Sequence, residues 1–147
     1  MTPAAPRLRT LALVALAAAL ISGCTSPVTP KNEPTMEQSQ ATTIVTGIET
    51  SAEQQSGVVT AKATYQNSLD AHATGAITIT VKAGAPVDPV FDKAVELFWR
   101  SRLTPLSTVS VGVIDEGDDQ RGREQVVSFL DQTTKNDLTA KYGARPN

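Results

Sequence analysis

Cysteine occurs once in these 147 residues, and histidine occurs once. A single thiol forms no intrachain disulfide, so the fold has to rest on its hydrophobic core. A single imidazole supplies no His pair for a metal, and no Gly-x-Ser-x-Gly elbow accompanies it. Aromatics are scarce too: one Trp, two Tyr and three Phe. The core must therefore be built mainly from Val, Ile, Leu and Ala. There is no basic excess, with 13 Lys and Arg against 15 Asp and Glu, which argues against nucleic acid. No glycine-rich loop that could cradle a phosphate is present. The one long apolar run, residues 11–21, has about eleven residues. At roughly 1.5 Å rise it covers about half of a hydrocarbon core of roughly 30 Å. It is too short for a comfortable transmembrane helix and suits the apolar centre of a cleaved signal.

What stands around that run is specific. Arg7 and Arg9 precede it, and the small residues Ser22 and Gly23 separate it from Cys24. Ile21-Ser22-Gly23-Cys24 resembles the lipobox of bacterial prolipoproteins. The resemblance implies a diacylglycerol on the Cys24 sulfur, followed by cleavage that leaves Cys24 as the new N-terminus. It implies a chain anchored to the cell membrane on the extracytoplasmic side. Several acyl chains, at roughly 0.8 kcal/mol per buried CH₂, make such an anchor stable where one chain is marginal. Cleavage also removes Arg7 and Arg9 and takes the net charge from −2 to −4. A mildly acidic domain is not expected to lie flat on anionic lipid.

Three segments follow. Residues 1–23 read as the signal. Residues 24–35 read as the acylated cysteine and a tether, because Thr25-Ser26-Pro27-Val28-Thr29-Pro30-Lys31-Asn32-Glu33-Pro34-Thr35 mixes prolines with polar residues. Residues 36–147 read as one small domain.

Within that domain, Ala41, Ile44, Val45, Ile48 and Ala52 have helical spacing, which predicts a helix from Met36 to about Ala52. Val58 to Tyr65 and Ala76 to Ala83 alternate apolar and polar residues and predict two half-buried strands. The polar stretch Gln66 to Gly75 predicts a long hairpin loop between them. Asp88 before Pro89 predicts an N-cap, with a helix from Pro89 to about Arg102 whose stripe is Val90, Phe91, Ala94, Leu97, Phe98 and Ser101. Val109, Val111 and Val113 predict a strand over Thr108 to Ile114. A turn at Asp115–Asp119 and a fourth strand over Arg123 to Leu130 follow. Thr134-Lys135-Asn136-Asp137 has capping-box spacing for a last helix, with Gly143 at its C′ position. The expected fold is α+β: a two-layer sandwich in the order αββαββα, with one mainly antiparallel sheet of about four strands and helices on one face.

Ala94-Val95-Glu96-Leu97-Phe98-Trp99-Arg100-Ser101-Arg102-Leu103, with Pro105-Leu106, is similar to a segment of small envelope proteins of actinobacteria. Lys141-Tyr142-Gly143-Ala144-Arg145-Pro146 is similar to their ends. This resemblance implies a bacterial source of that kind and brings no activity with it.

The candidate sites are few. His72, beside Asp70 and near Ser68, is either a general base oriented by a carboxylate or a solvated loop residue. Asp115, Glu116, Asp118 and Asp119 are either an oxygen-ligand site for calcium or a solvated hairpin tip, and their spacing is not that of an EF-hand. Arg100 and Arg102 either bind an anion or sit at the negative end of a helix dipole. Trp99 is either an exposed contact or a residue packed at the sheet edge. No catalytic residue, metal ligand or cofactor is assigned. The expected function is a non-enzymatic binding or adaptor domain with an envelope protein or glycan as partner. Its expected contact surfaces are the Trp99–Arg102 corner (Trp99, Arg100, Arg102) and a wet sheet face with Lys62, Thr64, Thr78 and Thr80. The alternatives are a carrier of a small lipid or glycan ligand and, less favoured, a hydrolase built on His72 and Asp70.

Overall fold

A computed structural model describes residues 36–68 and 71–146. The signal, Cys24, the tether and Asp70 lie outside the described residues. Among the described residues, no helix is long and apolar enough to cross a membrane.

The elements run α1 (Gln38–Glu53), β1 (Val58–Ser68), β2 (Ala71–Val81), α2 (Val87–Trp99), β3 (Thr108–Asp115), β4 (Asp118–Ser128) and α3 (Gln132–Tyr142). The four strands form one sheet in the order β1-β2-β3-β4. The outer pairs are antiparallel hairpins, and the central pair, β2 and β3, is parallel. Parallel neighbours need a crossover, and α2 is that crossover. The result is the expected α+β sandwich in the order αββαββα.

The helices form where apolar spacing and local bonds agree. In α1, Ala41, Ile48 and Ala52 are buried. Thr42 and Thr43 satisfy their hydroxyls within the helix by donating back to the Gln38 and Ser39 carbonyls, at 2.9 and 3.0 Å. In α2, Val90, Phe91, Ala94, Val95, Phe98 and Trp99 are buried. Their burial against Ile77, Ile79, Val109, Val111 and Val113 makes the centre of the core. Phe98 and Phe129 are its largest fully buried side chains, and the Trp99 ring meets Phe129 edge-on with centroids 5.3 Å apart.

Five boundaries differ from the sequence expectations, each for a local reason. The β1–β2 hairpin has no long loop, because the strands continue to Ser68 and resume at Ala71. Gln66, Asn67 and Ser68 are exposed, so their polarity marks a strand that projects past the core. Asp88 does not cap α2. The N-cap is Pro86, and Asp88 sits in the first turn with its carboxylate on Arg123, at 2.9 Å. The helix stops at Trp99 because the buried Ser101 hydroxyl bonds the Phe98 carbonyl at 2.7 Å and turns the chain away. Finally, α3 is capped by Asp131, whose carboxylate accepts from the Thr134 amide at 2.7 Å, so the helix starts before Thr134. The fourth strand begins at Asp118, since Glu116 and Gly117 alone make the turn. A Cβ at Gly117 would lie 2.6 Å from the Ala83 Cβ, so only glycine fits there.

Candidate interaction surface

The core residues of all four strands sit under the helices, and the alternate residues point away. The register arranges those outward residues in rows. Gln66, Thr74, Thr108 and Ser128 make one row, and Thr64, Ala76, Ser110 and Val126 the next. Lys62, Thr78, Gly112 and Glu124 follow, then Thr60, Thr80 and Ile114. Neighbouring strands lie about 4.8 Å apart, so the rows span roughly 14 Å.

Hydroxyls dominate this face, and each can donate and accept. Threonine is stiff at its first torsion, so the pattern is largely fixed before a partner arrives. Lys62 and Glu124 put opposite charges on the two outer strands of one row. Between them the surface dips over Gly112, where an added Cβ would meet only the Ile77 carbonyl oxygen, at 3.9 Å. The resulting open groove has a volume of about 340 Å³ and is lined by Ala76, Thr78, Ser110, Ile114, Gly122 and Glu124 among others. Ile114 and Val126, 44% and 65% exposed, add apolar contact beside the hydroxyls.

At the Trp99–Arg102 corner, one of the three expected contact residues is buried and two are exposed. Trp99 is 3% exposed, and its Nε1 donates to the Gly143 carbonyl at 2.8 Å. A ring held under the C-terminal segment offers no face to a partner. Arg100 is exposed, but its guanidinium lies 3.3 Å from Glu96 and donates to the Tyr142 carbonyl. Arg102 is exposed. Arg145 completes the corner by donating to the Leu103 and Leu106 carbonyls at 2.7 and 3.3 Å. Burial lowers its pKa from the ordinary arginine value. The segment around Trp99 and the C-terminal segment, far apart in sequence, are thus fastened to each other.

His72 is exposed on the outer face, at the projecting end of the first hairpin, and Ser68 is exposed near it. Their supposed partner Asp70 is outside the described residues. The acidic run at the second hairpin divides in two. Asp115 is 2% exposed and points inward, accepting from the amides of Gly84 and Gly117, both at 2.9 Å. Those two bonds, with smaller help from Arg121 at 3.6 Å, hold its pKa below the ordinary value. Glu116, Asp118 and Asp119 are exposed. Among the described residues, no three His, Cys, Asp or Glu side chains converge as metal ligands.

The space where a carrier would hold a ligand, between sheet and helices, is filled by Phe98, Phe129, Ile77, Ile79 and Leu103. No family model, curated protein or solved structure matches the chain.

Proposed function

We propose that this chain is a lipid-anchored protein of the bacterial cell envelope, whose folded domain is a non-enzymatic adaptor that captures an envelope protein or glycan on its open sheet face. In this reading residues 1–23 are removed and Cys24 carries the acyl chains. Residues 24–35 hold the domain off the membrane on the extracytoplasmic side. The observation that carries the binding half is the one-sided packing: among the described residues, the helices cover one face of the sheet and leave the threonine rows uncovered. Neutral hydroxyls suit a polar, uncharged partner, because no buried charge has to be stripped of water. The anchoring half rests on the sequence around Cys24.

The test is crosslinking in cells, followed by affinity capture from solubilised membranes, with Cys24→Ala as control. A reproducible partner that disappears in the control supports a membrane-localised adaptor. An equal yield from a control that is no longer membrane-bound contradicts the anchoring half. Failure to capture any protein or glycan contradicts the adaptor half.

A further inference from the structure

The two outer strands of the sheet are protected by different means. An edge strand presents a row of free N–H and C=O groups, which templates pairing with another chain unless something blunts it. β4 blunts itself: Asp118, Asp119, Arg121, Arg123 and Glu124 stud its length, and Gly122 interrupts it. β1, Val58–Ser68, is equally long, but Lys62 is its only charge and it contains neither Pro nor Gly. By composition it is the more dangerous edge.

Two of its outward amides are nevertheless occupied. The Ala63 N–H donates to the Glu49 carboxylate at 2.8 Å, and the Ala61 N–H donates to the Glu53 carboxylate at 3.4 Å. Both acids belong to α1, one turn apart, and reach from the helix onto the strand it covers. These are the bonds that an added strand would need. We propose that the β1 edge is a latent self-association site, locked in the monomer by Glu49 and Glu53, and that the strand it accepts when unlocked belongs to a second copy of this chain.

The pattern of β1 favours a second copy. Antiparallel pairing centred on Ala63 uses the amides of Ala61, Ala63 and Tyr65, which alternate with those facing β2. That register sets small alanines against each other at the centre and puts Lys62 of one copy beside Thr64 of the other, with no like charges opposed. The lock works twice. The carboxylates satisfy the amides with charge-assisted bonds, and they repel the same carboxylates on an approaching copy. The proposal is independent of the anchor, although confinement to a membrane would raise the local concentration against which a lock is useful.

The test uses the full chain, solubilised in density-matched detergent, in sedimentation velocity with hydrogen exchange in parallel. Glu49→Ala with Glu53→Ala is expected to give a concentration-dependent dimer. At dilutions where it is monomeric, its Ala61 and Ala63 amides exchange roughly tenfold faster or more, as loss of a charge-assisted bond implies. Glu49→Gln with Glu53→Gln stays monomeric, because the amide oxygens still accept. Adding Thr64→Lys to the double alanine variant returns it to monomer by opposing Lys62. A double alanine variant that keeps its native Trp99 near-ultraviolet signal and remains monomeric at every concentration overturns the proposal. If that variant unfolds, the single Glu49→Ala variant, which frees the Ala63 amide alone, decides: a folded chain that dimerises with concentration upholds the proposal, and one that stays monomeric at every concentration overturns it.

Discussion

Replacing Gly75 with alanine tests whether the core is packed as tightly as described. Glycine inside a strand normally weakens it, so this substitution would ordinarily stabilise the domain by roughly 0.5–1 kcal/mol. Here Gly75 lies in the middle of β2, against α2. A Cβ at that position would sit 2.7 Å from Phe98 Cε1, 3.1 Å from Phe98 Cδ1 and 3.4 Å from a Leu106 methyl. Carbon atoms prefer about 3.5–4.0 Å, so the ring must retreat by nearly an ångström. Phe98 is fully buried and has nowhere to go. Overpacking costs about 1–3 kcal/mol, and a fully buried ring displaced this far falls at about 2–3, so a backbone gain of at most about 1 leaves a net loss of roughly 1–2 kcal/mol. With unfolding entropy near 2.1 cal/mol/K per residue over about 110 residues, Tm falls by roughly 4–9 °C. The assay is thermal unfolding followed by circular dichroism, run as a cycle with Phe98→Leu. The smaller side chain removes the clash, so Gly75→Ala should cost clearly less in that background, with a coupling of about 0.5 kcal/mol or more. A Gly75→Ala protein as stable as wild type, or strictly additive effects, refutes the packing described.

Other perturbations follow from single contacts. Asp115 is held below its ordinary value of 3.8 in the folded chain, so its contribution is complete above that value and is lost as pH falls through the lower folded value. The urea midpoint of the wild type should drop below about pH 4, and Asp115→Asn should flatten part of that acid limb; an unchanged limb would be contrary. Asp131, lowered by the Thr134 amide, supplies another part of the same limb. Trp99→Phe removes the bond to Gly143 and should cost about 1 kcal/mol, with faster exchange confined to the C-terminal segment. Uniform destabilisation without that local signature would count against the fastening role. Arg102→Ala should change stability by less than about 0.5 kcal/mol and leave partner capture intact, whereas Ser110→Lys should abolish capture at unchanged Tm.

Legibility varied with the kind of information each element needed. The stripe of α2 and the valines of β3 were readable because burial on one side imposes a period, and the period survives in sequence. The extension of β1 to Ser68 was not, because Gln66, Asn67 and Ser68 are all exposed and show no alternation. Asp131 and Thr134 both stand at cap positions, and only the fold decides that Asp131 takes the Thr134 amide. Periodicity tells which face a residue occupies and not which strand lies beside it, so the parallel β2–β3 pair had to be seen. The same limit shaped the candidate surface. Lys62, Thr64, Thr78 and Thr80 were readable as a wet face, but their continuation through Ser110, Gly112 and Glu124 depends on register across β3 and β4. Trp99 was ambiguous because an indole at the end of a helix has the same spacing whether or not a later segment folds over it. The carboxylates on β1 leave no trace at all, since Glu49 and Ala63 are fourteen positions apart.

The most direct test of the adaptor reading is site-specific photo-crosslinking in living cells. A photoreactive side chain is placed at Ser110 on the open face or at Thr139 on the exposed side of α3, in the otherwise natural chain. A partner held on the open face gives a discrete adduct from Ser110 and none from Thr139. Adducts from Thr139 alone, or equal yields from both positions, would contradict it.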